Sequence, residues 1–468
     1  MLHIYNSLTG QKEEFKPIDG NRVRIYVCGM TVYDYCHLGH ARVMVGFDAI
    51  VRYLRYRGYE VTYVRNITDI DDKIINRANE LGVSTESLTD RYIRYMNEDL
   101  DALFVVKPDH EPRATEFIPN IVEMISELIE RGYAYPAENG DVYYRTRQFK
   151  EYGKLSGTRL DDLVVGARIA PDEMKNDPVD FVLWKGSKPG EPSWNSPWGE
   201  GRPGWHIECS AMSTSLLGSH FDIHGGGRDL LFPHHENEIA QSEAATDQTF
   251  VNVWMHNGYL EVNSEKMSKS LHNFLTIREI LAQDTDPVRM GEVLRFTFLM
   301  CHYRSPLNYS DSSLENAKVA LRRIYLAIRK FEQSGIPPSS QLNDEYLSRF
   351  QTVMDDDFNT PDALAVIFDC VRELNRAIDT ESGATAASLY QTLLLLNGAL
   401  GVGCMNASRF LGVELSVDSA GIRELVLQRE EARRNKQWQT ADELRRQLTA
   451  LGVELEDRPD GTSTWRKL

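Results

Sequence analysis

The chain has 468 residues, 42% of them apolar, with 52 Lys and Arg against 69 Asp and Glu and a formal net charge of −17. That length predicts two to four domains, the acidic balance excludes a generic nucleic-acid coat, and no apolar run approaches the ~20 residues that span a bilayer. Six cysteines do not suggest a disulfide framework, and Met1-Leu2-His3-Ile4-Tyr5-Asn6 lacks a charged segment followed by an apolar one, so no signal peptide, no membrane partner and a reducing, cytoplasmic setting are expected.

Residues 1 to about 110 alternate strand and helix signals, the pattern of parallel α/β units. Val23 to Val27 is β-branched and aromatic and predicts a buried strand, which Gly29 ends. Ala41 to Arg57 predicts a helix, with Val45, Ala49, Tyr53 and Tyr56 near helical spacing. His37-Leu38-Gly39-His40 therefore falls where a strand turns into a helix start. That helix end offers free N–H groups and a partial positive charge, both suited to phosphate. Gly39 leaves room for a nucleotide, and the histidines can donate to phosphate oxygens. In isolation such a segment is more often a pair of capping histidines. Asp71-Asp72 reads as a further helix N-terminus.

From about 111 to 204 the texture changes. A helix near Ala114–Arg131 leads to a strand signal at Asp141-Val142-Tyr143-Tyr144-Arg145, then to a Pro-, Gly- and Trp-rich stretch from Lys185 to Pro203. This predicts an insertion between two halves of one fold. The α/β pattern resumes at Trp205. Gly225-Gly226-Gly227 reads as a turn that allows close backbone approach to a ligand. Pro233 to Ala240 predicts a helix that sets His234 and Glu238 on one face. With Cys28, which closes the first strand, and Cys209, they can form a tetrahedral zinc site. Spacing alone leaves His235 as an alternative to His234, and buried cysteines as an alternative to ligands.

Asn257 to Asn263 predicts a turn and a short strand, followed by Lys266-Met267-Ser268-Lys269-Ser270. Two mobile lysines suit the β- and γ-phosphates of a nucleotide, although two nearby lysines usually mean a solvated loop. From about 276 to 400 nearly every segment is helical, Leu314 to Phe331 most clearly, with a Pro/Ser linker from Gln333 to Gln341. Helices near Ile422–Asn435 and Trp438–Leu451 precede a hairpin, Val453–Glu456 with Thr462–Lys467. Residues 421–468 hold ten Lys and Arg against nine Asp and Glu, which leaves −18 on the rest. In this relatively basic tail Trp438 and Trp465 can be base-stacking surfaces or core residues. Cys36, Cys301, Cys370 and Cys404 are expected to be plain buried or semi-buried thiols.

The two short segments, in this order, resemble the signature pair of class I aminoacyl-tRNA synthetases. Three blocks between them narrow the resemblance to the cysteinyl-tRNA synthetases: Asn66-Ile67-Thr68-Asp69-Ile70-Asp71-Asp72-Lys73, Gly204-Trp205-His206-Ile207-Glu208-Cys209-Ser210, and Phe221 through Asp229 to Glu238. Met354-Asp355-Asp356-Asp357-Phe358-Asn359-Thr360-Pro361 is a late anchor. The resemblance implies an α/β fold: a Rossmann-type parallel-sheet catalytic domain with an insertion, an α-helical bundle and a small C-terminal anticodon-binding domain. The expected boundaries are 1–110 and 205–262 for the two catalytic halves, 111–204 for the insertion, 263–310 for the lysine loop and stem-contact region, 311–405 for the bundle and 406–468 for the last domain.

The resemblance also implies cysteine activation with ATP and Mg²⁺, transfer to tRNA(Cys), one Zn²⁺ per subunit and a monomer. It assigns zinc to Cys28, Cys209, His234 and Glu238, and the chemistry to His37, His40, Lys266 and Lys269, with Gly39 also at ATP. It puts Gly29, Thr68, Trp205, His206, His224 and Asp229 around L-cysteine. One departure stands out: the family often has glycine where this chain has His272, which changes what the lysine loop can adopt. A ligase of the same fold that couples cysteine to an amino sugar is the alternative, and the roughly 150 residues beyond Tyr309 argue against it. A non-catalytic paralogue would show decay in segments that are intact here.

Overall fold

A computed structural model describes residues 1–165, 174–267, 273–412, 419–435, 437–450, 453–457 and 463–467. Its centre is a four-stranded parallel sheet in the order Val251–Asn257, Phe221–Gly227, Arg22–Val27, Glu60–Arg65. Val23, Ile25, Tyr26 and Val27 are all fully buried, as expected for a strand covered on both faces. The chain leaves the two middle strands in opposite directions. Arg22–Val27 crosses by the helix Leu38–Tyr56 to Glu60–Arg65, and Phe221–Gly227 crosses by the helix Glu236–Thr246 to Val251–Asn257. The carboxyl ends of the middle strands thus flank the point where strand order reverses, and a crevice opens there.

The triple glycine is not a turn. Gly225, Gly226 and Gly227 end the buried strand Phe221–Gly227. A Cβ on Gly225 would come within 2.2 Å of the Phe47 ring, and one on Gly226 within 2.9 Å of His235 Cε1. These glycines let a helix and a histidine ring lie directly on the sheet, a need that turn statistics do not register.

Residues 114–203 form the insertion. A 3₁₀ turn, Ala114–Phe117, runs into the helix Ile118–Glu130, whose first turn carries Pro119 where a missing N–H costs nothing. An antiparallel sheet follows, in the order Ala134–Pro136, Val142–Tyr144, Phe181–Gly186, Gly201–Pro203. Beyond the main sheet, Leu260–Val262 pairs in parallel with Leu307–Tyr309 and antiparallel with Glu265–Lys266. Lys269 and His272 fall outside the described residues.

Helices Pro287–Leu299, Asp311–Gln333, Asp344–Met354, Thr360–Asp379 and Gly383–Leu400 build the bundle. Fully buried Arg295 ties it to the catalytic half, pairing with Asp48 and donating from Nε to the Leu400 carbonyl at 3.0 Å. The short helix Ala407–Phe410 packs back on the bundle, with the Phe410 ring stacked 4.1 Å from Tyr325. The last structural unit therefore begins after it, beyond the expected boundary at 406.

That unit holds the helices Ser419–Arg434 and Trp438–Ala450 and the hairpin Val453–Asp457 with Ser463–Lys467. Its core gathers Ile422, Val426, Leu448 and Val453, with Trp465 packed against it. Trp438 is 60% exposed, so only Trp465 takes the core role. Cys36 and Cys370 are buried and Cys301 half-buried, whereas Cys404 is exposed rather than semi-buried. Among the described residues no helix is long and apolar enough to cross a membrane.

Candidate active site

The crevice at the strand reversal is a cleft of about 610 Å³. Cys28, Gly29, His37, Gly39, His40, Trp205 and Asp229 all line it. Gly29 is required there, because a Cβ would sit 1.7 Å from the Asn66 carbonyl oxygen. Its N–H donates to Asn66 Oδ1 at 2.8 Å. Thr68, His206 and His224 are not among the residues that line this cleft, and each bonds to a buried neighbour. Thr68 is buried and donates to Glu208 Oε2 at 3.2 Å. His206 Nδ1 meets His234 Nδ1 at 2.9 Å.

At one end of the cleft the ligand atoms of Cys28, Cys209, His234 and Glu238 lie within 4.8 Å of one another, and all four residues are buried. The two sulfurs are 3.8 Å apart. Glu238 Oε1 is 3.6 Å from Cys28 Sγ and 3.1 Å from His234 Nε2. The expected helix over 233–240 starts only at Glu236. An irregular turn, Leu231–His235, with extended backbone at Phe232, delivers His234 instead. Side-chain proximity survives because Glu238 stays in the first helical turn.

His235 joins a second set, with Cys28, His224 and Glu238, that is equally close. Its Nδ1, however, is 2.8 Å from His256 Nε2, and His256 Nδ1 is 2.8 Å from Ser7 Oγ. His224 Nε2 meets Glu238 Oε2 at 2.7 Å, while its ring stacks 4.5 Å from Trp254. One Glu238 oxygen is thus held from behind by His224, and the other faces His234 and the thiols.

The electrostatics follow from burial of several acidic groups together. Burial pushes the Cys28 thiol well up, with Cys209 and Glu238 adding to it. The Cys28 hydrogen bond, helped by His234 and opposed by burial, brings Cys209 down to about 6. Burial disfavours charge on both Glu238 and His234, yet His224 and His234 hold the Glu238 carboxyl well below its usual range. Glu238 and Cys209 raise His234 to about 10. Two thiols, a carboxylate and an imidazole crowded in a dry site can balance charge with protons or with a divalent cation, and two sulfurs suit zinc.

At the other end, His37 caps the helix Leu38–Tyr56. Its Nδ1 accepts from the backbone N–H of Gly39 at 3.1 Å and of His40 at 3.3 Å. His40 Nδ1 accepts the His37 N–H at 3.4 Å, and the two rings stack 3.6 Å apart. Both rings therefore keep their proton on Nε2. Burial, with His37 and Lys73 nearby, holds His40 well below 6.5 and so neutral. Gly39 has a local role besides leaving room for ligand: a Cβ would lie 2.9 Å from the His37 ring. Backbone bonds Leu38 N–H to Leu275 carbonyl (3.0 Å) and Ile277 N–H to Cys36 carbonyl (2.9 Å) tie this segment to the chain just beyond the lysine loop. Lys266 ends the short strand Glu265–Lys266, paired with the cleft residue Glu261 and followed by the cleft residue Met267.

Lys73 and Arg42 also line the cleft. The sequence reading gave neither a role, though Lys73 belongs to the quoted Asn66–Lys73 block and Arg42 follows His40 by two residues.

Three family models match the chain. They are "tRNA synthetases class I (C) catalytic domain" over residues 14–319, "DALR domain" over 349–404 and "Cysteinyl-tRNA ligase anticodon binding domain" over 419–466. A cysteine–tRNA ligase of Thioalkalivibrio sulfidiphilus is 58% identical over 469 residues, covering 100% of both chains. One of Alkalilimnicola ehrlichii is 56% identical with the same coverage. A Mycobacterium tuberculosis methionyl-tRNA synthetase in complex with methionyl-adenylate superposes with a TM-score of 0.57 at 16% identity, over 87% of this chain and 94% of that one. At that identity the likeness is one of fold.

Proposed function

The chain belongs to the cysteine–tRNA ligase family of class I aminoacyl-tRNA synthetases, and from that premise we propose that Cys28, Cys209, His234 and Glu238 hold one zinc ion per chain and select the amino acid. The convergence of those four ligand atoms within 4.8 Å, at the end of the nucleotide cleft, carries the reading. The donor set fits the ion, and His234 is preferred to His235 because its set contains both thiols and its ring lies against the cleft residue Trp205, 4.3 Å between centroids. Cys28, Cys209, His234 and Glu238 would hold the ion, whose Lewis acidity would favour a substrate thiol over a serine hydroxyl.

The remaining residues position and stabilise. Trp205, exposed at the cleft, offers a wall for the substrate, and the Asp229 carboxylate suits its α-ammonium. Gly29 gives the backbone close access. The Nε2–H groups of His37 and His40 donate to ATP phosphates as neutral imidazoles, with Gly39 against the nucleotide and Lys266 and Lys269 adding charge. His206 and His224 hold His234 and Glu238 in place, and Thr68 holds Glu208 beside Cys209 in the chain. The cysteine carboxylate oxygen attacks the α-phosphorus, the bond to the β-phosphate bridging oxygen breaks, and pyrophosphate leaves with Mg²⁺. The 2′-hydroxyl of the tRNA terminal adenosine then attacks the cysteinyl carbonyl and AMP departs. Placing both reactants supplies much of the rate, with no covalent enzyme intermediate. A monomer working in the cytoplasm completes the proposal, with tRNA(Cys) read by the C-terminal unit.

Metal analysis tests it. The purified chain should carry one zinc, and Cys209→Ser should lose zinc and cysteine activation together. Full zinc occupancy in that variant would remove Cys209 from the site.

A further inference from the structure

The turn at residues 302–305, between the helix Pro287–Leu299 and the strand Leu307–Tyr309, touches three distant parts of the chain. Its carbonyl groups face Arg42, which lies on the same helix as His40, two residues further on. Arg42 Nη2 is 3.5 Å from the carbonyl oxygens of both His302 and Tyr303, and it also donates to that of Ser305. Arg42 is buried, and its Nε and Nη1 find no acceptor among the described residues. The guanidinium thus commits its charge to this turn.

On the second side lies the approach to the lysine strand. The Gly258 N–H donates to the Tyr303 carbonyl at 2.8 Å, and the Leu307 N–H to the Tyr259 carbonyl at 2.9 Å. A Cβ on Gly258 would come 2.4 Å from the Ser305 carbonyl oxygen. Gly258 and Tyr259 line the cleft and lead into Leu260–Val262, which pairs with Glu265–Lys266.

The third side is the helical bundle, which reaches the turn through Asp357. This aspartate is fully buried with a left-handed backbone, φ +61°, a conformation kept only where its surroundings demand it. One carboxylate oxygen accepts the Tyr303 hydroxyl at 2.8 Å and the Tyr5 N–H at 2.9 Å. The other accepts Arg304 Nε at 2.6 Å, and the Asp357 carbonyl accepts from His302 Nε2 at 2.9 Å. Polar groups of Asp357 are thereby spent on the catalytic half.

We infer that Asp357 is a positioning residue for adenylate formation: by fixing the 302–305 turn it sets the helix end bearing His37 and His40 against the strand that leads to Lys266. The inference rests on the ligase reading above. The two phosphate-binding segments are far apart in sequence and must close on one nucleotide, and a displacement of about 1 Å at such a site costs on the order of a hundredfold in rate. The cysteine end of the cleft makes none of these contacts, so the effect falls on turnover and spares cysteine binding.

The test uses the full chain with Asp357→Asn and Tyr303→Phe. Asparagine keeps shape and one acceptor oxygen but turns an NH₂ toward Arg304 Nε. Phenylalanine removes only the Tyr303 hydroxyl bond. Cysteine-dependent ATP–pyrophosphate exchange is measured per active site, with sites counted by the burst of adenylate formation. The kcat per site should fall about tenfold or more in Asp357→Asn and at least about threefold in Tyr303→Phe, with the cysteine KM within about threefold of the parent. A purely structural role would lower the count of active sites and leave kcat per site unchanged. That result, or a cysteine KM rising in step with the loss of kcat, overturns the inference. If Asp357→Asn does not fold, Tyr303→Phe decides alone. Absence of cysteine-dependent exchange in the parent chain would instead defeat the ligase reading.

Discussion

His37 does two separable things with one ring. Its Nδ1 caps a helix, and the ring also lines the cleft. Asparagine is among the best N-cap residues, so His37→Asn should preserve the helix start while deleting the phosphate donor. The melting temperature should stay within about 2 °C while adenylate formation slows by roughly ten- to a hundredfold; a variant that melts early and turns over normally would make His37 a cap and nothing more. His256 offers a test by pH. Burial first, with His224 and Arg228 adding, lowers its pKa from 6.5 to about 3. The unfolded chain then takes up the proton before the folded one, so its contribution is complete above 6.5 and is lost as pH falls toward 3, at up to about 1.4 kcal/mol per pH unit. Glutamine can keep bonds to Ser7 and His235 without titrating. Urea midpoints at pH 7 and pH 5 should therefore shift less in His256→Gln than in the parent, and equal shifts would mean that other groups carry the acid loss.

At the scale of elements, the His37–His40 segment is coupled to the chain just beyond the lysine loop by main-chain bonds, Leu38 to Leu275 and Ile277 to Cys36, and by the His37 ring edge-on to Phe274. Lys269→Ala should slow cysteine-dependent pyrophosphate exchange by roughly two to four powers of ten with an unchanged unfolding transition; near-parental exchange would take the lysine loop out of the chemistry. Elements with a strong composition or cap signal were legible in the sequence. Val23 to Val27 is a β-branched and aromatic run that forms a buried strand, and Asp71 caps a helix as its residue type suggests. Gly225 to Gly227 were misread because glycine has no strand propensity, and only the Phe47 ring and His235 above them explain the choice. The kink at Phe232, which shifts the helix start to Glu236, has no periodic signature either. Within the site, the clustering of Cys28, Cys209, His234 and Glu238 matched the resemblance. The bonds of Thr68, His206 and His224 to Glu208, His234 and Glu238 leave no mark in the sequence, because they join residues from separate elements.

At the scale of the whole molecule, the bundle is bound into the catalytic half by buried charge: Arg295 to Asp48 and Leu400, Asp355 to Tyr53 and Arg57, and Asp357 to the 302–305 turn. The C-terminal unit has its own small core. A chain ending at Gly412 keeps the Phe410–Tyr325 stack and should activate cysteine at the parental rate while charging tRNA far more slowly; equal loss of both activities would show that the tail supports the fold. On the zinc proposal the four-ligand site itself tells cysteine from serine at activation. A purely apolar pocket separates such near-isosteres poorly, whereas thiolate ligation separates them at the activation step. The direct measurement is the ratio of kcat/KM for cysteine over serine in pyrophosphate exchange, before and after verified removal of zinc and again after zinc is restored. The ratio should collapse without the metal and return with it. A chain that stays fully active and selective with its zinc removed would contradict it.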